Sequence, residues 1–404
     1  MKRNKTLVLF GYDWDRIEFK KLSREWKQAH AGFDLFSFPS SARLAWFDME
    51  RFSSLAALRA RVQGARAVVS NHEQFGALAA ALVAEKTGWP GTPVEAVLAC
   101  QHKLYAREIL ERVAPEANIP FRRLDAAYDA DIPEGLGYPT FVKPVKAAFS
   151  VLARTVHSHQ ALFDHTRFNR RELWIIRHLV EPFEKIVRRR LPGAGTAHSL
   201  MLEESLRGPQ YCLDGYCING EVRRLGIVDA IMYPGTDAFM RWDYPSHLPD
   251  RLQEKAEAIA ARFLQEVGYT HGFFNMEFVL DEQSGQLKVI ECNPRMAAQI
   301  SDLYARVDGV QLHEMALALS HGIDPATLPT KEPTAACASS FVYRSFGQTV
   351  PVRMPTASQR RAFSDAFPDG MLLQFPKSPG QIKRDFKWLG SYRFGIVHLG
   401  GDSP

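Results

Sequence analysis

Residues 268–295 read G-Y-T-H-G-F-F-N-M-E-F-V-L, then D-E-Q-S-G, then Q-L-K-V-I-E-C-N-P-R. The runs Phe273 to Leu280 and Gln286 to Glu291 are rich in aromatic and branched residues, and the five residues between them end in Gly285, so the pair reads as a β-hairpin. With Asp281 to Gly285 as the whole loop, Leu280 faces Gln286 and Glu277 faces Val289. Strand alternation then sets Glu291 on the same face as Glu277, one diagonal step away. Asn293 is next on that face, before Pro294 ends the ladder. Two carboxylates and an amide oxygen suit a hard cation, and magnesium takes one or two carboxylates together with phosphate oxygens. Arg295 adds a planar fork that fits phosphate or carboxylate. The competing reading is an ordinary hairpin with a solvated acidic face. Against it, Val289, Ile290, Cys292 and Pro294 surround Glu291 with apolar neighbours, an unusual setting for a charge without a partner.

The chain has 404 residues, enough for two or three lobes and a large core. Hydrophobic content of 46% and charged content of 24% are ordinary for a globular protein. A formal charge of +5 is mild, and the basic clusters Arg122-Arg123 and Arg188-Arg189-Arg190 form no long stripe, which argues against a nucleic-acid binder. Five cysteines without a C-x-x-C pair argue for a reduced, cytoplasmic protein rather than a disulfide framework or a zinc site. The apolar run near the start, Leu7 to Phe10, is too short for a signal peptide, and no stretch approaches a membrane span.

In chain order, short apolar strands are expected at Thr6–Phe10, Phe33–Phe38 and Ala67–Ser70, with a helix from Arg16 to about His30 and another from Phe75 to Lys86. This alternation implies an open α/β lobe. Glu73, following the third strand, suits either the ligand cleft or a helix cap. A helix over Val94 to Leu110 carries Lys103. Lys143 ends the apolar strand in Gly137-Tyr138-Pro139-Thr140-Phe141-Val142-Lys143-Pro144, where its ammonium projects toward a loop able to hold phosphate. Leu200 to Tyr211 reads as a strand, a turn at Gly208-Pro209 and a second strand. Asp214 on that second strand faces either cleft or solvent. An aromatic loop is expected through Phe239-Met240-Arg241-Trp242-Asp243-Tyr244, and an amphipathic helix over Leu252 to Val267. The last seventy or so residues read as alternating strands.

The sequence resembles the ATP-grasp superfamily over most of its length. E-C-N-P-R stands where that family has its magnesium-binding E-x-N-x-R strand, and Y-P-T-F-V-K-P matches its Y-P-x-x-V-K-P strand. The resemblance implies an α/β ATP-grasp fold with an N-terminal open α/β lobe (1–118), a mobile lid (119–199), a central antiparallel-sheet nucleotide lobe (200–330) and a small C-terminal β-rich lobe (331–404). It implies metal ligands Glu277, Glu291 and Asn293 for two magnesium ions, with manganese an acceptable substitute. It assigns ATP to Lys103, Lys143, Ser150, Glu203, Glu204, Leu206 and Gln210, and catalysis to Lys143 and Arg295. Candidates for holding the substrate are Arg241, Trp242, His271 and Arg295. The implied activity is an ADP-forming carboxylate–amine ligase that works through an acyl phosphate on amino acids or other small acids. Its partners are then a small carboxylic acid and an amine, and a homodimer is compatible with this reading. A carboxylase-like or peptide-tailoring activity, or a nucleotide-binding protein without turnover, are the alternatives.

Two departures stand out. The family's glycine- and serine-rich flap is replaced by Val145-Lys146-Ala147-Ala148-Phe149-Ser150, which has no glycine and is expected to be stiffer. After Arg295, the usual glycine-rich turn is replaced by Met296-Ala297-Ala298-Gln299, which implies an altered acceptor pocket.

Overall fold

The computed structural model describes residues 5–35, 40–124, 126–147, 152–347 and 351–403. The chain begins with three parallel strands, β1 (Lys5–Leu9), β2 (Gln28–Ala31) and β3 (Ala65–Val69), in the order β2-β1-β3. Helices α1 (Asp13–Lys21), α2 (Met49–Val62) and α3 (Gly76–Thr87) complete this lobe. Small side chains let α3 lie close to its neighbours, and Ala77, Ala79, Ala81 and Ala84 are buried there with Leu78 and Leu82. The second strand thus precedes the expected Phe33–Phe38, of which residues 36–38 lie outside the described part. Phe33 serves as a core side chain, its ring 5.6 Å from that of Phe10. The helix expected to reach His30 stops at Lys21, because Gln28 to Ala31 is taken into the sheet beside β1.

The long helix expected over Val94 to Leu110 is two, α4 (Val94–Gln101) and α5 (Lys103–Val113). His102 breaks them apart with a non-helical backbone, and its Nδ1 accepts the Tyr105 N–H at 3.2 Å, capping α5. Lys103 thereby becomes the first residue of a helix rather than a mid-helix surface lysine.

A second sheet is antiparallel and contains β4 (Phe121–Leu124), β5 (Thr140–Pro144), β6 (Arg154–Val156) and β7 (Leu200–Glu203), ordered β4-β7-β5-β6. Helices α6 (His159–Thr166) and α7 (Arg170–Arg190) follow β6, and Asn169 with Glu172 forms a capping box that starts α7. A division at residue 199 would cut this sheet, since β7 pairs with both β4 and β5.

The largest sheet has eight antiparallel strands: β8 (Gln210–Ile218), β9 (Glu221–Met232), β10 (Phe239–Tyr244), β11 (Gly272–Leu280), β12 (Leu287–Asn293), β13 (Cys337–Ser345), β14 (Met371–Gln374) and β15 (Tyr392–Gly401). Their order is β12-β11-β8-β9-β10-β13-β15-β14. The stretch expected as an aromatic loop is therefore the strand β10, and it joins the C-terminal strands to the central ones through its pairing with β13. Helices α8 (Asp250–Glu266), α9 (Ser301–Val307) and α10 (Leu312–Ser320) accompany the sheet.

The C-terminal region is not strands alone, because α11 (Ala357–Ala366) and α12 (Pro379–Leu389) interrupt them. Each starts with a capping box, Thr356 with Gln359 and Ser378 with Gln381, a signal that was present in the sequence. The far end of α12 reaches the second sheet. Trp388 is buried in the core beside that sheet, its carbonyl accepts the Leu152 N–H at 3.2 Å, and Lys387 bonds the Glu172 carboxylate.

Candidate functional site

The hairpin of β11 and β12 pairs Leu280 with Leu287, Val279 with Lys288 and Phe278 with Val289, so its loop is one residue longer than expected. Carried on regularly, that register would turn Glu291 to the opposite face from Glu277. A β-bulge at Ile290 restores the phase, and Glu277 pairs directly with Glu291, Met276 with Cys292 and Asn275 with Asn293. Core packing shows why. Met276, Phe278, Leu287, Val289 and Cys292 are all buried in one cluster, and the three-residue step from Val289 to Cys292 fits only if one residue is extra. The other face carries Asn275, Glu277, Glu291 and Asn293. Asn293 Nδ2 donates to Glu277 Oε1 at 3.0 Å and to Asn275 Oδ1 at 3.2 Å. Across β8, Asp214 continues this face: it accepts from Asn275 Nδ2 at 3.0 Å and from the Tyr304 hydroxyl at 2.8 Å. Burial pushes its carboxyl up to about 6.

Four cations surround the carboxylates. Lys103 Nζ lies 2.8 Å from Glu291 Oε2, and it also donates to the Ala147 carbonyl at 3.1 Å. Arg295 Nη2 lies 2.8 Å from Glu73 Oε2, so Glu73 faces the cleft and is not a helix cap. Lys143 Nζ lies 2.8 Å from Glu203 Oε1 and 3.4 Å from the Ile290 carbonyl. Lys146 is 3% exposed and stands 4.8 Å from the Phe183 ring centre, and among the described residues it has no ion pair. The bulge contributes here as well. Its freed Ile290 carbonyl takes Arg107 Nη2 at 2.9 Å, while Arg107 Nε bonds Glu203 Oε1 at 2.6 Å. Arg107 lies one turn after Lys103 on α5 and ties the hairpin to β7.

These charges shift one another. Burial pulls Lys143 down to about 8 against the pull of Glu203, and it pulls Lys146 to about 7. Burial likewise opposes the charges of Lys103 and Arg295, but Glu291 and Glu73 outweigh it and hold both protonated. Glu277 is pushed up by burial and by the facing Glu291. For Glu291 burial acts the same way, yet Lys103 and Lys143 overcome it and hold its carboxyl well below the usual range. Two facing carboxylates, one of them pushed toward protonation, with an amide beside them, fit a divalent cation completed by phosphate oxygens. No group of three or more His, Cys, Asp or Glu suited to a metal occurs among the described residues.

The other expected residues fall differently. Trp242 lies on the same sheet face as Glu277, through the pairings of Cys212 with Val228 and of Ala230 with Trp242, and its ring packs 5.0 Å from Phe239. Arg241 lies on the opposite face, bonded to Asp243 Oδ2 at 2.8 Å, so the structure does not bring it to the carboxylates. His271 sits at the far end of β11, bonded to the Leu319 carbonyl at 2.8 Å. The Glu203 carboxylate is taken up by Arg107 and Lys143. Glu204 is exposed just beyond β7, Leu206 is half-buried, and Gln210 opens β8 opposite Val279. Ser150 lies outside the described residues. Sequence reasoning missed Arg107 and Asn275. Both carried a periodic signal, Arg107 four residues after Lys103 and Asn275 two before Glu277.

Residues 244–328 match the family model described as the carbamoyl-phosphate synthase L chain, ATP binding domain. No curated protein matches the chain. Among solved structures, an L-amino acid ligase from Bacillus licheniformis aligns with a TM-score of 0.73 at 16% identity, over 100% of this chain and 95% of its own. An N5-carboxyaminoimidazole ribonucleotide synthetase from Thermus thermophilus aligns at 0.61 and 17% identity, over 99% and 94%. A biotin carboxylase from Campylobacter jejuni aligns at 0.59 and 12% identity, over 98% and 87%. The chain thus shares the fold of these three enzymes over nearly its whole length.

Proposed function

We propose that this chain is an ADP-forming carboxylate–amine ligase. The observation that carries this reading is the direct pairing of Glu277 with Glu291, beside Asn293 and amid Lys103, Lys143, Lys146 and Arg295. A carboxylate is a poor electrophile at neutral pH. In this reading a substrate carboxylate oxygen attacks the γ-phosphorus of ATP, the bond to the bridging oxygen breaks, and ADP leaves. The amine then attacks the acyl carbon, phosphate departs, and the nitrogen loses a proton. Lys103, Lys143 and Lys146 offset the charge of the phosphate tail, and Arg295 stabilises the transferring phosphoryl group or the tetrahedral adduct. Magnesium held by Glu277, Glu291 and Asn293 would supply Lewis-acid screening of the phosphate oxygens. Arg107 positions Glu203 and thereby Lys143. The lid sheet, closed over the site, would keep water from the acyl phosphate.

The likeness to an L-amino acid ligase favours amino acids or similar small acids and amines as substrates; in this reading the protein is cytoplasmic, and a homodimer is compatible with it. No helix among the described residues is long and apolar enough to cross a membrane. The test is incubation of the full chain with ATP, magnesium and pooled amino acids, following ADP and product masses. Amino-acid-dependent ADP together with a new amide mass is expected. Magnesium-dependent ATP binding without any amide from a broad acid and amine pool would overturn the ligase assignment.

A further inference from the structure

A cavity of about 310 Å³ lies between the second sheet and α7, with the end of α12 against it. Pro144 and Leu152 line it on one side, Leu173, Ile176 and Val180 of α7 on another, and Trp388 of α12 on a third. Its lining is thus mainly apolar, and its size is near the lower end of small-molecule sites.

Two features set it apart from a packing void. First, it reaches the charge cluster. Lys146 lines it, and so does Ala147, whose carbonyl accepts from Lys103 Nζ at 3.1 Å. Second, Lys146 is the cation of that cluster with no carboxylate of its own among the described residues. Lys103 is bonded to Glu291, Lys143 to Glu203 and Arg295 to Glu73, whereas Lys146 Nζ stands 4.8 Å from the Phe183 ring centre. Burial pulls its pKa down to about 7; Glu73 and Glu291 oppose that pull, and Lys103 and Arg295 add to it. A lysine withdrawn from water beside an apolar space keeps its charge at a cost that an anion in that space would offset. The other charged lining residues are accounted for. Glu181 is bonded to His198 Nε2 at 2.9 Å, and Arg177 is exposed. No carboxylate among the described lining residues is left over for an ammonium group.

We infer that this cavity holds the acid substrate, an apolar carboxylic acid without an α-amino group, with its carboxylate on Lys146 and its body between α7 and the second sheet. The inference rests on the ligase reading above and narrows it: an amino acid enters this reaction as the amine, not as the acid. The carboxylate and the γ-phosphate are both anions, and a cation shared by them lowers the repulsion as they approach. In the activation step one carboxylate oxygen bonds to the γ-phosphorus as the bond to the bridging oxygen breaks. ADP departs, and Lys146 keeps its protons throughout.

The test uses the full chain with magnesium and titrates five probes calorimetrically: 3-phenylpropanoate, octanoate, 3-phenylpropanamide, acetate and L-phenylalanine. At least one of the two apolar acids should bind about tenfold or more tighter than the amide, acetate and L-phenylalanine, the weight of one charge-assisted contact. Lys146→Met should remove the preference over the amide, and Lys146→Arg should keep part of it. Leu179→Trp, which fills the cavity from a half-buried position on α7, should weaken the apolar acids by a similar factor while ATP is still bound. Circular dichroism checks that each variant folds. With ATP and hydroxylamine added, wild type should release ADP and turn the bound acid into its hydroxamate, the trapped form of an acyl phosphate. Apolar acids that bind no better than the amide, acetate or L-phenylalanine, or an unchanged preference in folded Lys146→Met, overturn the subsite. Tight binding without acid-dependent ADP and hydroxamate overturns its role as the place of the substrate. Wild type that binds no ATP at all overturns the ligase reading instead.

Discussion

Two clusters of charge lie in this molecule, one buried and one partly exposed, and they are balanced in opposite ways. On the hairpin face, Glu73, Glu203 and Glu291 each meet a cation within 2.8 Å, and Arg107 ties two strands and a helix together. On the wall of a cavity between the first sheet and the C-terminal strands, Arg344 and Arg393 meet only an alcohol, an amide and aromatic faces among the described residues. The first cluster holds its own geometry and needs a ligand chiefly at Glu277. The second is short of negative charge among the described residues, and both of its arginines stay partly exposed on the cavity wall. A cluster whose charges are paired within the fold and one left to solvent are thus distinguishable from their partners alone.

The largest expected effect sharpens the first half of that contrast. Glu291→Gln should lower magnesium-dependent ATP turnover by at least about a thousandfold, because one shared carboxylate and the partner of Lys103 are lost together. ADP release measured with and without magnesium checks it, and full turnover would remove Glu291 from the metal set. Next in size is Arg107→Met. It leaves the buried Glu203 with Lys143 alone and strands the Ile290 carbonyl, so a loss of about 3–5 kcal/mol in unfolding free energy is expected by chemical denaturation. A change below about 1 kcal/mol would mean that the hairpin cluster does not hold itself together.

Much of this site was readable before any coordinates. Glu277, Glu291 and Asn293 share a face as alternation implies, and Lys103, Lys143 and Arg295 converge on them. The register was not readable, because a turn longer by one residue and a bulge of one residue cancel in the pattern of the carboxylates. Only the spacing of the buried residues Val289 and Cys292 betrays them. The break at His102 was hidden for a different reason: the apolar periodicity of Val94 to Leu110 continues across it, and only the cap formed by the imidazole marks the end. Arg241 was misplaced because its surroundings read as a loop, where alternation has no force. Once β10 is a strand, its neighbour Trp242 takes the inward face and Arg241 cannot. The C-terminal arginines lay in a region read as strands only, and nothing local tells an unpaired arginine from a solvated one.

The smallest effect concerns protons. The folded-state pKa values of Lys143 and Lys146, about 8 and about 7, lie below those of the free side chain, so near pH 8 the apo chain carries these groups partly neutral. Phosphate oxygens favour their charged forms, and nucleotide binding should therefore take up a fraction of a proton at pH 8 and less at pH 6, where both are already protonated. Calorimetry in buffers of different ionisation heat reads this directly. Lys146→Met should reduce the uptake, and uptake that does not change between pH 6 and pH 8 would count against it. For stability the sign is opposite to that of a stabilising pair. The unfolded chain holds more protons than the folded one between about pH 7 and the ordinary lysine range, so these two lysines make the apo fold gain stability as pH rises through that window.

Ile290 also bears on what a sequence position is for. It has no cross-strand partner in the hairpin register, while its carbonyl receives Arg107 and Lys143. Removing the residue altogether would let Glu291, Cys292 and Asn293 keep their partners in an unbroken ladder, yet it would take away the oxygen that both cations use. A substitution at 290 and a deletion at 290 thus ask different questions. The first changes an identity that the strand hardly reads, and the second changes the chain's length at the one point where length, rather than chemistry, sets the arrangement of the site.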